Sequence, residues 1–215
     1  MILVLIVVVG LIGFVFFGWY RPWQLKWGTT PEEVDRVLPG DEVVLSPTFN
    51  ATRAVAVDAP PEAIWPWIVQ IGFGRAGWYT YDLLDNLGRH SAESVVPELQ
   101  HMDVGNLVPM GPGEDAGMRV KGFEPNEWML WWDNNHLTTW AWVLDPTSDG
   151  GTRLVTRIRS RPAWRHPSTI FWLLLFEAAD FPLMRKCLLG IKRRAETLAS
   201  TTAVETQDEE PTLTV

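Results

Sequence analysis

The sequence predicts an α+β fold: a curved antiparallel sheet packed on one long C-terminal helix, with a transmembrane helix in front. Three observations carry this. The first twenty residues, "MILVLIVVVGLIGFVFFGWY", contain no charged side chain. From Val104 to Arg161 the hydrophobic pattern has a period of two, with no helical stretch between segments, which favours an antiparallel meander over parallel strands joined by helices. Beyond Ser168 the spacing becomes helical and stays so to about Leu198.

Composition sets the bounds. At 215 residues the chain is long enough for one domain with a sizeable core. A net charge of −8 and a pI near 5.0 argue against a nucleic-acid partner, whose binders carry a basic footprint. The single cysteine, Cys187, excludes an internal disulfide framework. The 13 tryptophans are the unusual feature, and they suit a membrane interface or a pocket for an apolar ligand as well as a core.

Residues 1–20 are long enough to cross a bilayer, since twenty helical residues span roughly 30 Å. Trp19, Tyr20, Trp23 and Trp27 follow as an interfacial belt, and Arg21 and Lys26 place the remainder on the cytoplasmic side of the cell membrane as a single-pass protein. A cleavable signal peptide would need basic residues before the apolar run and small residues at its end, and neither is present.

Residues 21–50 read as a juxtamembrane connector. Thr30 caps a short helix with Pro31 at its first position and Glu32 and Glu33 in its first turn, and "DEVVLSP" is available as an extra strand. The folded domain then covers 51–199. "ATRAVAVDAP" is a strand, and "PEAIWPWIVQIG" is a helix with Ile64, Ile68 and Ile71 on one side, kinked or limited by Pro66 and closed by Gly72. Strands follow at "GNLVPM", "GMRVKGFE", "EWMLWWDN", "LTTWAWVLD" and "TRLVTRIRSR". In the last, Arg153, Arg157, Arg159 and Arg161 alternate with Leu154, Thr156 and Ile158. Ser168 caps the long helix, whose first half, "IFWLLLF", is apolar on every side and interrupted by Glu177 and Asp180. Residues 200–215 are polar and read as a disordered tail.

This order of elements resembles the helix-grip fold, in which a sheet wraps a long helix and leaves a cavity between them. "RAVAVDAPPEAIWPWIVQIGFGRAGWYTYDLLDNLGRHSAESVVPELQ" and "MRKCLLGIKRRAE" resemble membrane-anchored, uncharacterised bacterial members of the SRPBCC superfamily, which includes START lipid-transfer domains and polyketide cyclases. The resemblance covers roughly Thr30 to Ala199. It departs in two places: six strands are clear where the superfamily usually has seven, and Pro182 lies inside the long helix. The superfamily shares no catalytic motif, so the resemblance implies a cavity and assigns no catalytic residue.

The polar segment "GWYTYDLLDNLGRHS" is open to two readings. On a helical wheel Tyr79, Leu83, Leu84 and Leu87 share one half, while Tyr81, Asp82, Asp85, Asn86 and Arg89 share the other. Thr80 then serves as N-cap, Asp85 and Arg89 pair at i,i+4, and Gly88 stops the helix, all structural tasks. Alternatively Tyr81, Asp82 or Asp85 turns toward the cavity as polar anchor or general acid and base, with His136 a further candidate for proton transfer. "GFGRAG" (Gly72–Gly77) matches a dinucleotide-binding pattern in letters but lacks a βαβ context, and is read as a joint between helices. His90, His101, His136 and His166 show no metal-ligand spacing, so no cofactor is expected, and Cys187 reads as a packed apolar residue.

The aromatic strands offer Trp128, Leu130 and Trp132 on one face, Trp140, Trp142 and Leu144 on the next, and Met118 and Val120 on the strand before. With Trp78, Tyr81 and Leu154 these give the candidate ligand-lining set: Trp78, Tyr81, Met118, Val120, Trp128, Trp132, Trp140, Trp142 and Leu154. The expected function is membrane-tethered binding of a hydrophobic small molecule or lipid. The alternatives are a cyclase, dehydratase or isomerase acting on an apolar substrate through Asp82, Asp85 or His136, and a ligand-free membrane scaffold for a protein partner.

Overall fold

A computed structural model describes residues 2–161 and 167–209 of the chain. Its centre is a six-stranded, wholly antiparallel sheet in the order β1-β6-β5-β4-β3-β2. The strands are β1 (Phe49–Val57), β2 (Leu107–Pro109), β3 (Gly117–Glu124), β4 (Trp128–Trp132), β5 (Thr138–Pro146) and β6 (Thr152–Ser160). The helices are α1 (Ile2–Val15), α2 (Arg21–Gln24), α3 (Pro31–Asp35), α4 (Pro61–Gln70), α5 (Asp82–Asp85) and α6 (Pro167–Glu209). Helices α4 and α6 lie on the inner face of the sheet, where Ile64, Trp67, Met184, Leu188 and Ile191 meet Met129, Trp131, Trp142 and Leu154 in one continuous core. A long helix gripped by an antiparallel sheet is the helix-grip arrangement expected.

All of the strands read from the period-two pattern form, but "DEVVLSP" does not add to them. Its residues run in turns, because they are held against the outer face by the arginines of β6. Arg153 binds the Glu33 carboxylate at 2.8 Å and the Gly28 carbonyl at 2.8 Å. Arg157 donates to the main-chain oxygens of Glu33, Val34 and Arg36 and to Asp41. Arg159 reaches Asp41 and the Val44 carbonyl. Helix α3 starts as expected: Thr30 Oγ accepts from the Glu33 N–H at 3.3 Å, and the Glu33 carboxylate accepts from the Thr30 N–H at 2.8 Å. Leu25 and Trp27 accept from Thr52 and Ala54, which covers the outer edge of β1.

Four expectations need correction. The N-terminal span is divided: α1 stops at Val15, Phe16–Tyr20 is π-helical, and α2 begins at Arg21. Pro22 accounts for this, since it has no N–H for the Gly18 carbonyl and its ring crowds that oxygen. Among the described residues no helix is long and apolar enough to cross a membrane. Tyr20, Trp23 and Trp27 pack around Phe181 of α6, with ring centroids 5.1 to 6.2 Å away, so part of the expected belt is tertiary packing.

Second, the helix expected across residues 79–89 shrinks to one turn, α5, with Tyr81 rather than Thr80 preceding it. Tyr79 and Leu87 adopt positive φ (59° and 50°), which breaks the helix on either side. Leu83, Leu84 and Leu87, which share one half of the wheel with Tyr79, are 77%, 71% and 68% exposed, whereas Asn86 is buried and ties the loop together through the Gly74 N–H and the Arg89 carbonyl. Among the described residues no Asp85–Arg89 ion pair forms.

Third, the face of β4 is inverted. Met129 and Trp131 point inward, opposite Trp142 and Trp140 of β5. Trp128, Leu130 and Trp132 point outward, where Leu130 is covered by the loop at Gly40. Fourth, α6 begins at Pro167, so Ser168 lies in its first turn. The helix continues through the segment expected to be disordered as far as Glu209, with residues 210–215 outside the described set. His166 and the Glu177 side chain are also outside it.

Candidate functional site

A cavity of about 260 Å³ opens between the inner face of the sheet and α6. Its sheet side is formed by Met110, Met118, Thr138, Trp140 and Ile158, its helix side by Ala179, Asp180, Leu183, Met184 and Cys187, and the rest by Trp78 and Thr80 of the segment between α4 and α5 and by Asp85 of α5. The alternation of β5 sends Thr138 and Trp140 inward together, and α6 brings Asp180, Leu183, Met184 and Cys187 to one side at spacings of three and four.

Tryptophans set the cavity's shape. The ring of Trp78 stacks on Trp140 at 5.7 Å with an 8° interplanar angle. Trp140 is fixed from behind by Trp131 and Trp142, each 5.2 Å away, and its indole N–H donates to Thr156 Oγ at 2.7 Å. Trp131, Trp142, Val120 and Leu154 are fully buried behind this layer as core residues.

The polar groups are few. Asp180 forms a buried ion pair with Arg53 of β1 at 2.7 Å. Arg53 in turn donates to the Gln24 carbonyl at 2.9 Å and the Gln24 side-chain oxygen at 2.6 Å. Asp85 has no such counterion: its Oδ1 is buried without a hydrogen-bond partner among the described residues. Burial, and next the charge of Asp82, push its carboxyl up to about 6. The Thr80 hydroxyl, on a residue only 8% exposed, likewise finds no partner there. Burial, and next the charge of Asp85, raises the Cys187 thiol far above its ordinary value.

Of the sequence candidates, the cavity therefore unites Trp78, Met118, Trp140 and Asp85. Val120, Trp142 and Leu154 support it without lining it. Trp128 and Trp132 belong to the outer face, where Trp132 stacks on His136 at 4.0 Å and receives Lys121 at 5.2 Å. His136 thus sits in the β4–β5 turn, away from the cavity lining. Tyr81 is exposed, with the Lys186 ammonium 3.7 Å from its ring centroid. Asp82 turns to the surface, accepting from Ser91 Oγ at 2.5 Å with His90 at 3.4 Å. Burial opposes its ionisation, but the Ser91 and His90 contacts outweigh that and hold its carboxyl low. Asp82 is the anchored partner of the two aspartates, whereas Asp85 Oδ1 has no hydrogen-bond partner among the described residues.

Sequence reasoning missed Thr80, Met110, Thr138, Ile158, Ala179, Asp180, Leu183, Met184 and Cys187. Thr80 was assigned to a cap, and the others come from separate elements whose meeting leaves no local pattern. "GFGRAG" closes on itself through reciprocal Gly72–Gly77 backbone hydrogen bonds of 3.1 Å, with Arg75 turned in to the Val69 carbonyl at 3.0 Å. The all-antiparallel sheet provides no βαβ unit for a dinucleotide. Among the described residues no group of three or more His, Cys, Asp or Glu side chains could hold a metal ion.

No protein family and no curated protein matches this sequence. Solved structures similar to it in shape include the protein MLL2253 of Mesorhizobium loti, at 15% identity and TM-score 0.39, covering 67% of this chain and 97% of that one. A Polyketide_cyc-like protein of Corynebacterium glutamicum, Cgl2372, is 16% identical with a TM-score of 0.34, covering 75% and 96%. The KanY protein is 12% identical with a TM-score of 0.43, covering 68% and 97%.

Proposed function

We propose that this protein binds a small apolar molecule in the cavity between the sheet and α6. The observation that carries this reading is the pair of buried groups without partners, Thr80 Oγ and Asp85 Oδ1, set in walls otherwise made largely of Trp, Met, Ile and Leu. Buried polar groups are nearly always hydrogen-bonded, so two orphans at one apolar cavity suit a ligand that satisfies them. Pockets for drug-sized ligands run from roughly 300 Å³ upward, so a volume of about 260 Å³ bounds the ligand to a smaller molecule.

The charge-free Met1–Tyr20 sequence and the exposed side chains of Val4, Leu11, Phe14, Phe17 and Trp19 support tethering at a bilayer, from which an apolar ligand could be drawn. Exposed Leu83, Leu84 and Leu87, close in sequence to the lining residue Asp85, support the same route. A second reading is favoured by Asp85: a carboxyl near 6 in an apolar site suits proton transfer on a cyclase-, dehydratase- or isomerase-type substrate.

Native mass spectrometry of the detergent-extracted full chain tests the first reading. A stoichiometric small-molecule adduct, lost when Met118→Trp fills the cavity, is the expected result. A protein that carries no adduct and takes up no member of a panel of small aromatic compounds would overturn it. For the second reading, Asp85→Asn should retain binding and abolish turnover.

A further inference from the structure

We infer that the ligand of this cavity is an apolar amine, bound as its ammonium ion between Asp85, Thr80 and the Trp78–Trp140 pair. The inference rests on the proposed use of the cavity and adds the charge of its occupant.

The lining contains two carboxylates and no Lys, Arg or His. One carboxylate is already neutralised: Asp180 has Arg53 at 2.7 Å, and Arg53 is held in place by Gln24. Asp85 lacks an equivalent. The cation beside it, Lys186, stands over the Tyr81 ring at 3.7 Å, outside the lining, and the neighbouring Asp82 adds negative charge. The cavity therefore presents one carboxylate that no cation of its own lining pairs, with Lys186 offsetting only part of its charge from outside.

Both unsatisfied groups can accept a hydrogen bond. Asp85 Oδ1 accepts, and the Thr80 hydroxyl, more than nine-tenths buried, both accepts and donates. A ligand must bring an N–H or O–H donor to satisfy Asp85, and a second donor serves Thr80 as well. A fatty acid brings a second carboxylate to a desolvated carboxylate, where like charges repel strongly. An alcohol brings one donor and no charge. An ammonium brings three donors and the missing countercharge, and two parallel indoles attract cations over their faces. Apolar walls with a carboxylate at one end thus match a hydrophobic body ending in an amine.

Three probes of one shape separate charge from burial: tryptamine, indole and indole-3-acetate, titrated calorimetrically into the full-length protein in detergent at pH 7.5. Tryptamine should bind at least tenfold tighter than indole, and indole-3-acetate should give no heat. Asp85→Asn should bring tryptamine to within threefold of indole while leaving indole unchanged, which also reports that the variant is folded. Thr80→Val should weaken tryptamine several-fold. If indole-3-acetate binds as well as tryptamine, or if Asp85→Asn keeps the amine preference, this inference falls and the cavity reading stands. If none of the three binds, both fall.

Discussion

Arg53 on β1 and Asp180 on α6 form an ion pair of 2.7 Å, with side chains 1% and 6% exposed. The pair joins the sheet to the helix at the cavity wall, and Gln24 fastens the N-terminal segment to the same guanidinium. Removing one partner strands the other charge in the interior, which costs about 3–5 kcal/mol, whereas replacing both with apolar side chains of similar volume is often neutral. Asp180→Leu should therefore lower unfolding stability by that amount in denaturant titrations. Arg53→Met combined with Asp180→Leu should restore most of it. Equal losses in the single and double variants would show that the pair is not the junction.

Arg157 plays the matching role on the outer face. Only 3% exposed, it donates to three connector carbonyls, to Asp41 and to Thr52 at 2.7 to 2.9 Å. Its fork satisfies acceptors that a point charge cannot reach together. Arg157→Lys should release residues 33–44 from the sheet, seen as faster hydrogen exchange there, while the amides of β5 remain protected. Unchanged exchange across 33–44 would mean the connector is held by its apolar contacts at Leu38 alone.

The Tyr79 carbonyl lies so close to α6 that a Cβ on Gly190 would come within 2.5 Å of it. Tyr79 holds its positive φ because its hydroxyl donates to the Trp67 carbonyl at 3.0 Å, its N–H donates to Ser91 Oγ at 3.1 Å, and Arg194 covers its ring at 4.6 Å. Gly190→Val must push the segment carrying Trp78, Thr80 and Asp85 away from the helix. Ligand affinity should fall more than tenfold, with thermal stability also reduced. Tyr79→Phe removes one hydrogen bond and should cost about 1 kcal/mol. A Gly190→Val variant with unaltered affinity would show that this segment does not shape the site.

Those residues also show where the sequence was legible. Each strand segment read from the sequence forms, and Arg153, Arg157 and Arg159 fall on one face of β6 because polar and apolar residues alternate there. "WMLWW" carries no such alternation: every residue is apolar, so nothing local says which face of β4 turns inward. Leu130 is buried on the outside only because the connector folds over it. The wheel over 79–89 failed for a related reason. Tyr79 is drawn out of helical geometry by Trp67, Ser91 and Gly190, which are distant in sequence, and the leucines left behind face outward. Asp85 was among the candidates by residue type, but its separation from Asp82 depends on Ser91 and on α6.

Asp85 yields a pH prediction whose sign follows from burial. Its carboxyl stands near 6 in the folded protein, against an unfolded value near 3.9. Between those values the folded state binds more protons, so its contribution to stability falls as pH rises, and the full penalty of the charge is present above pH 6. The group is only half buried, so solvent screens part of that penalty. Asp85→Asn keeps the shape and removes the charge. The variant should unfold at higher denaturant than the parent at pH 7.5, and the gap should close as pH falls toward 4. Taking the difference between the two proteins cancels most of the background from other carboxylates, although Asp82, which loses a repulsive neighbour, shifts slightly in the variant. Added tryptamine should reverse the order at pH 7.5, because the ammonium gains affinity from the charge that costs the empty protein stability. A gap independent of pH would mean that Asp85 is solvated and that the cavity holds no uncompensated charge.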